Sequence, residues 1–506
     1  NSLLLEIAGK LYYMKDEELT AARDKYELTG YPYLNIGSED FQTNSGKGSE
    51  YTSNSVFGRV IYSYADRYLF QANIRHDGSS RFAKGYRWGT FPSFSAGWVM
   101  SEEKFMKSLN WDWLSFLKLR GSWGILGNER IGDDYFPYIA LMSFGNSLFY
   151  MADGSVVSDK TARPAILAVE DITWETTTST DFGLDANFFN NRLQFHFDYY
   201  WKQTKDMLLK IEIPYFMGYN NPNTNAGKMS THGYDIELAW NDRIGDLQYG
   251  VNVNFSDFLS KIDYMNDGEQ ISNGKIKRAG VLFNEYYGYV CDGIYQTQEE
   301  VNNSARTSTT VTVGGLKDRD ISGPDGVPDG IISPEYDRVP LGNSLPRFQY
   351  GGTFNASYKG IDFSIAFQGI GKQNSYLSTA MVQPLRDNYG SVPSIIEGKY
   401  WSPFNTAEEN LSARYPRLSN VSKSNNYATS NFWMFNGSYF RLKNLTLGYT
   451  LPETWTQKAG IDRVRFYISG SDLFCLSNFP DGWDPEMGAS SYPITTSLVM
   501  GLQVNF

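Results

Sequence analysis

The sequence has little cysteine, little histidine and no long apolar run. It contains 2 cysteines in 506 residues, Cys291 and Cys475, which lie far apart; we expect two unpaired thiols, and sequence alone leaves a disulfide open. Its 3 histidines, His76, His196 and His232, are not closely spaced, which argues against a histidine-based zinc site. No stretch reaches the roughly 18 apolar residues of a membrane helix. This excludes helical membrane proteins but not membrane β-barrels, which have no such run.

Basic residues are also scarce. The chain has 45 Lys and Arg against 56 Asp and Glu, a net charge of -11, which argues against a nucleic-acid partner. The first five residues lack the basic start and apolar core of a signal peptide, so we expect a protein that is not exported or a chain that begins elsewhere. Aromatic residues, by contrast, make up 16% of the chain, and apolar residues make up 41%, which is too many for a disordered protein.

The clearest pattern is an alternation of apolar and polar residues with a period of two, which predicts β-strands. Between Arg192 and Lys202 one face carries Leu193, Phe195, Phe197, Tyr199 and Trp201, and the other carries mostly polar residues. The pattern predicts about thirteen strands near 55–65, 67–77, 91–100, 115–125, 176–188, 191–204, 229–241, 246–260, 347–358, 360–371, 438–450, 463–472 and 497–506. Many have the roughly 9–11 residues that cross a bilayer at a tilt, and exceed the roughly 5–6 residues of a typical soluble strand.

The connections between these strands alternate between short and long. Some are as short as Asp66, 189–190 or Lys359, whereas long ones are expected at 126–175, 205–228, 261–346, 372–437 and 473–496. Short turns at one end and long extracellular loops at the other are typical of outer-membrane barrels. A β-propeller would instead repeat every 40–45 residues or so, and the sequence shows no such repeat. The sequence therefore predicts an all-β protein, a transmembrane antiparallel β-barrel.

Counting back from a periplasmic C-terminus places residues 1–54 in an extracellular loop before the first complete strand, and residues 55–506 in the barrel. Thirteen is an odd number, whereas bacterial single-chain barrels have an even number of strands. We therefore expect the C-terminal part of a larger barrel. The earlier strands, any plug and the signal peptide would lie in a missing N-terminal part.

Several motifs make the chain resemble the SusC-like family of TonB-dependent outer-membrane transporters. They are Arg75-His76-Asp77-Gly78-Ser79-Ser80-Arg81-Phe82, Arg87-Trp88-Gly89-Thr90-Phe91-Pro92-Ser93, Ser95-Ala96-Gly97-Trp98, Leu117-Lys118-Leu119-Arg120-Gly121-Ser122-Trp123-Gly124, Trp174-Glu175 with Thr176-Thr177, Gly437 to Tyr449 and Asp484-Pro485-Glu486. The resemblance implies a 22-stranded barrel in the outer membrane of a Gram-negative bacterium. It also implies an N-terminal plug, a segment that contacts TonB, and an SusD-like surface lipoprotein as a lid.

The resemblance implies TonB-dependent active import of a large nutrient, with oligosaccharide as the first choice and oligopeptide as the second. Alternatives from other classes are a passive porin-like channel and a barrel enzyme or adhesin. The sequence has no G-x-S-x-G, H-E-x-x-H or G-x-x-x-x-G-K-[ST] motif, so we predict no enzymatic activity. The expected partners are the N-terminal part of the barrel, the lid, TonB and outer-membrane lipid.

The acidic stretch 318–337 resembles the D-x-[DN]-x-D-G pattern of calcium loops, with Asp325, Asp329 and Asp337 as candidate ligands of calcium or magnesium. Hard cations need several oxygens that converge on one point, and closely spaced carboxylates beside Gly330 would provide them. Val327 replaces an oxygen ligand, and the last acid comes one residue late. A plain Asp/Gly turn is the alternative interpretation.

Aromatic residues fall into two groups and one special position. Tyr62, Tyr64, Phe195, Tyr199 and Trp201 alternate along strands and are expected to face lipid. The long loops carry rings that could contact a ligand, pack the loops or pack the lid: Tyr286, Tyr287, Tyr289, Tyr295, Trp401, Phe404, Trp433 and Trp483. Phe506 ends an amphipathic strand and resembles the assembly signal of outer-membrane proteins; the alternative is an ordinary apolar strand end.

Overall fold

The computed structural model describes residues 2–31, 33–132, 134–266, 268–307, 310–377, 382–383, 385, 392, 394–419, 423–487 and 492–506. The first eleven strands are β1 Ser2–Arg23, β2 Gln42–Tyr64, β3 Tyr68–Ser79, β4 Trp88–Val99, β5 Leu114–Asn128, β6 Met142–Tyr150, β7 Val156–Pro164, β8 Glu175–Phe188, β9 Leu193–Lys210, β10 Asn223–Ile244 and β11 Leu247–Met265. They are followed by β12 Glu269–Ser272, β13 Lys275–Arg278, β14 Glu285–Tyr289, β15 Cys291–Ile294, β16 Leu316–Asp318, β17 Arg338–Asn343, β18 Arg347–Tyr358, β19 Ile361–Lys372, β20 Asn374–Tyr376, β21 Met434–Asn436, β22 Tyr439–Thr450, β23 Arg463–Ser477 and β24 Ser497–Asn505.

Helices are few and short. They are α1 Lys104–Ser108, α2 Gln298–Asn303, α3 Ala407–Leu411, α4 Lys423–Asn426 and α5 Glu453–Thr456. In the part of the chain that the structure describes, no helix has the length and apolar character needed to cross a membrane.

Fourteen long strands form one sheet in the order β1-β2-β3-β4-β5-β8-β9-β10-β11-β18-β19-β22-β23-β24. The remaining strands form small sheets within the long connections: β12-β13-β14-β17, β15-β16, β20-β21 and β6-β7. The fourteen strands follow one another in chain order, and the small sheets lie between β5 and β8, β11 and β18, and β19 and β22, as expected for the wall of an up-and-down barrel.

The chain divides into two compact units, one of residues 1–98, 120–181 and 202–229, and one of residues 99–119, 182–201 and 230–506. The first contains the antiparallel ladder β1 to β4 and a buried cluster of Phe82, Phe91, Ile131, Ile172 and Trp174. The second contains the antiparallel ladders from β18 to β24 and a second buried cluster, described below.

Each of the thirteen predicted spans coincides with a long strand of the sheet, within a few residues at most ends. The predicted lipid-facing rings lie on the outside of these strands: Tyr62, Tyr64, Tyr199 and Trp201 are exposed and Phe195 is half-buried. Leu498, Met500 and Leu502 of β24 are likewise exposed and pair across the ladder with Gly470, Ile468 and Phe466 of β23. This continuous exposed apolar face is the surface that a membrane strand presents to lipid.

The structure corrects the prediction that residues 1–54 form a loop. β1 pairs with β2 over 22 residues, from Ser2 with Ser63 to Arg23 with Gln42. Leu3, Leu5, Ile7 and Leu11 alternate along β1 and are strongly exposed, so the period-two signal was present there. The polar, glycine-rich first half of β2 has low strand propensity, which favours a loop in sequence alone.

Pairing with β1 makes the first half of β2 a strand despite its low strand propensity. The register places Glu18 opposite Lys47, and their charged groups lie 2.9 Å apart. β3 pairs only with Ser53–Tyr64 of β2, so Gln42–Thr52 and the facing half of β1 continue as a two-stranded ribbon beyond the neighbouring strand. We call this part the β1–β2 ribbon.

The short connections are tight hairpin turns. Ala65 and Asp66, between β2 and β3, both have positive φ, and so do Lys359 and Gly360 between β18 and β19. Two positive φ values in a row are the signature of a type I′ turn, which matches the twist of antiparallel strands. A Cβ at Gly360 would lie 2.6 Å from the carbonyl oxygen of Thr450, so this position requires glycine.

Candidate functional site

The long connections of the second unit share a hydrophobic core. Its buried members, which we call the loop core, are Leu316, Leu377, Val382, Ile396, Tyr415, Trp433 and Phe479. They come from the connections β11–β18, β19–β22 and β23–β24. Long loops that pack around a common core are ordered structure, as expected of loops that carry a function.

Hydrogen bonds connect two of these connections inside the loop core. The indole N–H of the fully buried Trp433 donates to the carbonyl oxygen of Asn426 at 2.6 Å. The side-chain oxygen of Asn426 accepts from the N–H of Leu316 at 3.0 Å, and the amide of Asn425 donates to the carbonyl oxygen of Leu316 at 3.2 Å. These hydrogen bonds join β16 to the segment 425–433 and satisfy the buried groups that make them.

The loop aromatics identified from sequence mostly pack the loops. Those that are buried are Tyr286, Tyr287, Tyr295, Trp401 and Trp433, whereas Tyr289 and Trp483 are half-buried. Phe404 is 96% exposed and is the one ring of that set open to solvent. In the first unit, sequence reasoning missed Tyr215 and Phe216, which are 98% and 89% exposed between β9 and β10. A ring must be exposed to contact a ligand. The exposure of a loop residue cannot be predicted from sequence, because a loop has no periodic pattern.

Asp337 organises the acidic turn through the backbone. Its side chain is fully buried, and one oxygen accepts from the N–H groups of Ile321 at 2.7 Å and Ser322 at 3.2 Å. The other oxygen accepts from the N–H of Ser333 at 2.7 Å. Asp337 thus closes the turn on itself through three charge-assisted hydrogen bonds to the backbone.

The other two candidate ligands lie at the surface of the same turn. Asp325 and Asp329 are exposed, and Asp329 accepts from the N–H of Ile331 at 2.9 Å. Within the described residues, no group of three or more His, Cys, Asp or Glu side chains lies close enough together to hold a metal ion. The three candidate ligands are close in sequence, but the carboxylate oxygens of Asp325, Asp329 and Asp337 do not converge on one point. Cation binding at this turn stays a prediction.

A buried acid that sequence reasoning did not single out lies in β16. Asp318 is 8% exposed and pairs with Cys291 of β15. Burial, with a smaller contribution from the nearby carboxylate of Asp292, raises the pKa of Asp318 from 3.8 to about 7. Burial also raises the pKa of the free thiol Cys291 to about 12, which keeps this cysteine protonated and unreactive.

The strands also carry an ion-paired polar face opposite the exposed apolar one. In the second unit, the ring Nδ1 of His196 lies 3.0 Å from Asp185, whose other oxygen lies 3.7 Å from the amino group of Lys118. In the first unit, Arg59 donates to Gln71 at 3.0 Å. A strand with lipid on one face and paired charges on the other separates a membrane from a polar interior.

Phe506 follows directly after β24, and its ring is 87% exposed. β24 pairs with β23 as far as Asn505, which lies opposite Arg463. The aromatic ring thus lies directly beyond the last pair of the ladder with β23. Its role as an assembly signal stays a prediction.

Comparison with known proteins gives the family. Residues 5–469 match the family model described as TonB dependent receptor-like, beta-barrel. The chain is 31% identical over 488 residues to TonB-dependent receptor P3 of Formosa agariphila, covering 89% of this chain and 45% of that protein. It is 31% identical over 470 residues to TonB-dependent receptor SusC of Bacteroides thetaiotaomicron, covering 89% and 43%. The chain thus spans about half the length of the curated relatives it matches.

A solved structure has the same fold. The structure of the RagAB peptide transporter superposes with a TM-score of 0.79 at 22% sequence identity, over 100% of this chain and 53% of that one. The family match, the SusC-like relatives and the two-faced strands agree with the resemblance that the motifs predicted. The chain belongs to the TonB-dependent receptor-like β-barrel family, whose members lie in the outer membrane of Gram-negative bacteria.

Proposed function

We propose that this chain forms the wall and outer loops of a transporter that imports a large polar nutrient, in the first place an oligosaccharide, across the outer membrane. TonB would supply the energy by acting on a plug in the N-terminal part of the protein. The observation that carries the proposal is the separation of faces on the strands. Exposed apolar residues cover one side, and ion pairs such as Asp185 with Lys118 and His196 lie on the other.

An SusD-like surface lipoprotein is the proposed partner. The β6–β7 hairpin presents Met142, Phe144, Leu148 and Tyr150 on one face, all at least half exposed. An isolated two-stranded ribbon is only marginally stable in water, and an exposed apolar patch marks an interaction site. Arg163 of the hairpin donates to the carbonyl oxygen of Gly218 at 2.5 Å, which brings the exposed Tyr215 and Phe216 into the same region.

The lid proposal is tested by co-purification from the native outer membrane. We expect the paired change Phe144→Ser and Tyr150→Ser to release the lipoprotein from the full-length transporter. The change Asn146→Ser on the same face of the same strand serves as the matched control and should retain it. Retention by the paired variant would overturn this docking surface.

The substrate proposal is tested with the full-length transporter and its lid. Mass spectrometry of ligands that co-purify should identify oligosaccharides, and their uptake by cells should stop when TonB is deleted. Peptides in the same fraction would support the second candidate, an oligopeptide importer. The structural similarity to the RagAB peptide transporter favours this candidate. Uptake that continues without TonB would overturn active transport in favour of a passive channel.

A further inference from the structure

Two of the family motifs meet in an ionic cluster around a buried arginine. Arg441 of β22 is 3% exposed, and its guanidinium donates to both carboxylate oxygens of Asp484 at 2.6 and 2.7 Å. Its Nε forms an ion pair with Glu486. A single planar guanidinium thus bridges the two acids of Asp484-Pro485-Glu486, a geometry that suits arginine and not lysine.

Side chains from neighbouring strands complete the cluster around Glu486. Gln368 of β19 donates to Glu486 at 2.9 Å. The amino group of Lys443 in β22 lies 3.9 Å from Glu486 and 2.6 Å from Asp472 of β23. Two adjacent strands, β19 and β22, therefore hold the short segment 484–486, and each of its charges has an opposite charge beside it.

The same segment enters the loop core at its other end. Phe479 is a buried member of the loop core, and Trp483 packs against that core. The ring of Phe479 meets the ring of Phe435 edge-on, with centroids 6.2 Å apart. Residues 479–486 thus connect the loop core to the strand that carries Arg441 within eight residues.

We propose that Arg441 is a positioning residue, and that its pairing with Asp484 and Glu486 holds the loop core in place against β22. The inference rests on the proposed function, because a loop core in a fixed position is what a ligand-capturing surface requires. Removal of the guanidinium leaves Asp484 without its counter-charge and leaves Glu486 with only the more distant Lys443, so we expect the segment 479–486 to detach from β22. The loop core then loses this attachment while the barrel strands keep their own ladders.

The test uses hydrogen–deuterium exchange of the full-length transporter with its lid. In Arg441→Gln, we expect amide exchange in 478–487 and 394–419 to rise on the order of tenfold, with β22 and β23 unchanged. Arg441→Lys should restore protection only in part, because one amino group cannot bridge both acids. The charge exchange Arg441→Asp with Asp484→Arg should recover more protection than either change alone.

Arg465→Gln is the matched control. It removes another arginine–carboxylate pair of the same unit, in which Arg465 lies 2.5 Å from Asp362, without touching 478–487. Exchange in the loop segments equal to that of this control, or charge-exchanged protein no better than the single variants, would overturn the proposal. Because exchange is measured without transport, uptake by the unchanged protein that continues without TonB would count against the proposed function and not against this role of Arg441.

Discussion

The indole N–H of Trp174 donates to the backbone carbonyl of Arg87, with 2.9 Å between nitrogen and oxygen. Each residue belongs to one of the motifs by which the sequence resembles SusC-like transporters, and 87 positions separate them in the chain. The ring of Trp174 also packs against Phe82 and Phe91, with centroids 5.4 and 5.3 Å away. The motifs thus mark where the connection β5–β8 closes onto the connection β3–β4.

Trp174→Phe should destabilise the first unit. The substitution keeps an aromatic ring and removes the N–H donor, so the carbonyl of Arg87 loses its partner, at a cost of about 1–3 kcal/mol. Thermal unfolding of the full-length protein in detergent measures the effect. Trp123→Phe is the control, because Trp123 lies stacked on Phe94 with its ring 37% exposed. Equal midpoints for the two variants would contradict the prediction.

The loop around β16 should lose stability as the pH rises. Asp318 has a pKa of about 7 when folded, above its ordinary 3.8, so the folded state binds the proton more tightly. The stabilising contribution of protonated Asp318 is present at low pH and is lost as the pH rises through 7, by on the order of 2–4 kcal/mol. Amide exchange of 316–320 should therefore be faster at pH 8 than at pH 5 after correction for intrinsic rates. Asp318→Asn should remove the dependence, and the exposed Asp325→Asn should not.

Divalent cations provide a test of the acidic turn. Both oxygens of Asp337 already accept backbone N–H groups, so a cation at this turn would bind through the exposed Asp325 and Asp329 and should raise the melting midpoint in calcium above that in chelator. Asp329→Asn should abolish the rise, and an equal midpoint in calcium and in chelator would support the plain Asp/Gly turn. Magnesium in place of calcium tests the second ion.

Phe506→Asp should reduce insertion into the outer membrane severalfold. A charge replaces the terminal aromatic ring while the ladder of β24 with β23 keeps its register up to Asn505. Membrane fractionation and heat-modifiable migration in electrophoresis measure the inserted fraction. Phe506→Tyr keeps the aromatic ring and should insert normally. Normal insertion of the aspartate variant would show that the last residue is an ordinary strand end.

Most of the long strands of the sheet could be predicted from sequence, because apolar residues recur with a period of two along a membrane strand. Apolar residues recur at every second position from Leu193 to Trp201 in β9 and from Leu498 to Leu502 in β24, since one face meets lipid and the other does not. β1 was missed although Leu3, Leu5 and Ile7 follow the same rule. Its partner residues 42–51 are polar and glycine-rich, and only the tertiary ladder makes them a strand.

The loops could not be predicted to the same degree because nothing in them repeats. Trp433 and Phe404 are both loop aromatics, yet one is fully buried and the other almost fully exposed. Asp337 was identified as an important acid for its spacing, but its backbone partners at Ile321 and Ser333 depend on how the turn closes. The bridging of Asp484 and Glu486 by Arg441 joins positions more than 40 residues apart, which spacing does not encode.

The thickness of the bilayer does not set the length of the β1–β2 ribbon. Its eleven residues Gln42–Thr52 have no partner in β3 and extend about 35 Å along the strand direction. The ribbon can be shortened or lengthened by two residues on each strand without turning any side chain to the opposite face. Natural variation or engineering can therefore change the length of the ribbon, up to its end near Tyr31 and Tyr33, while the other strands of the sheet stay the same.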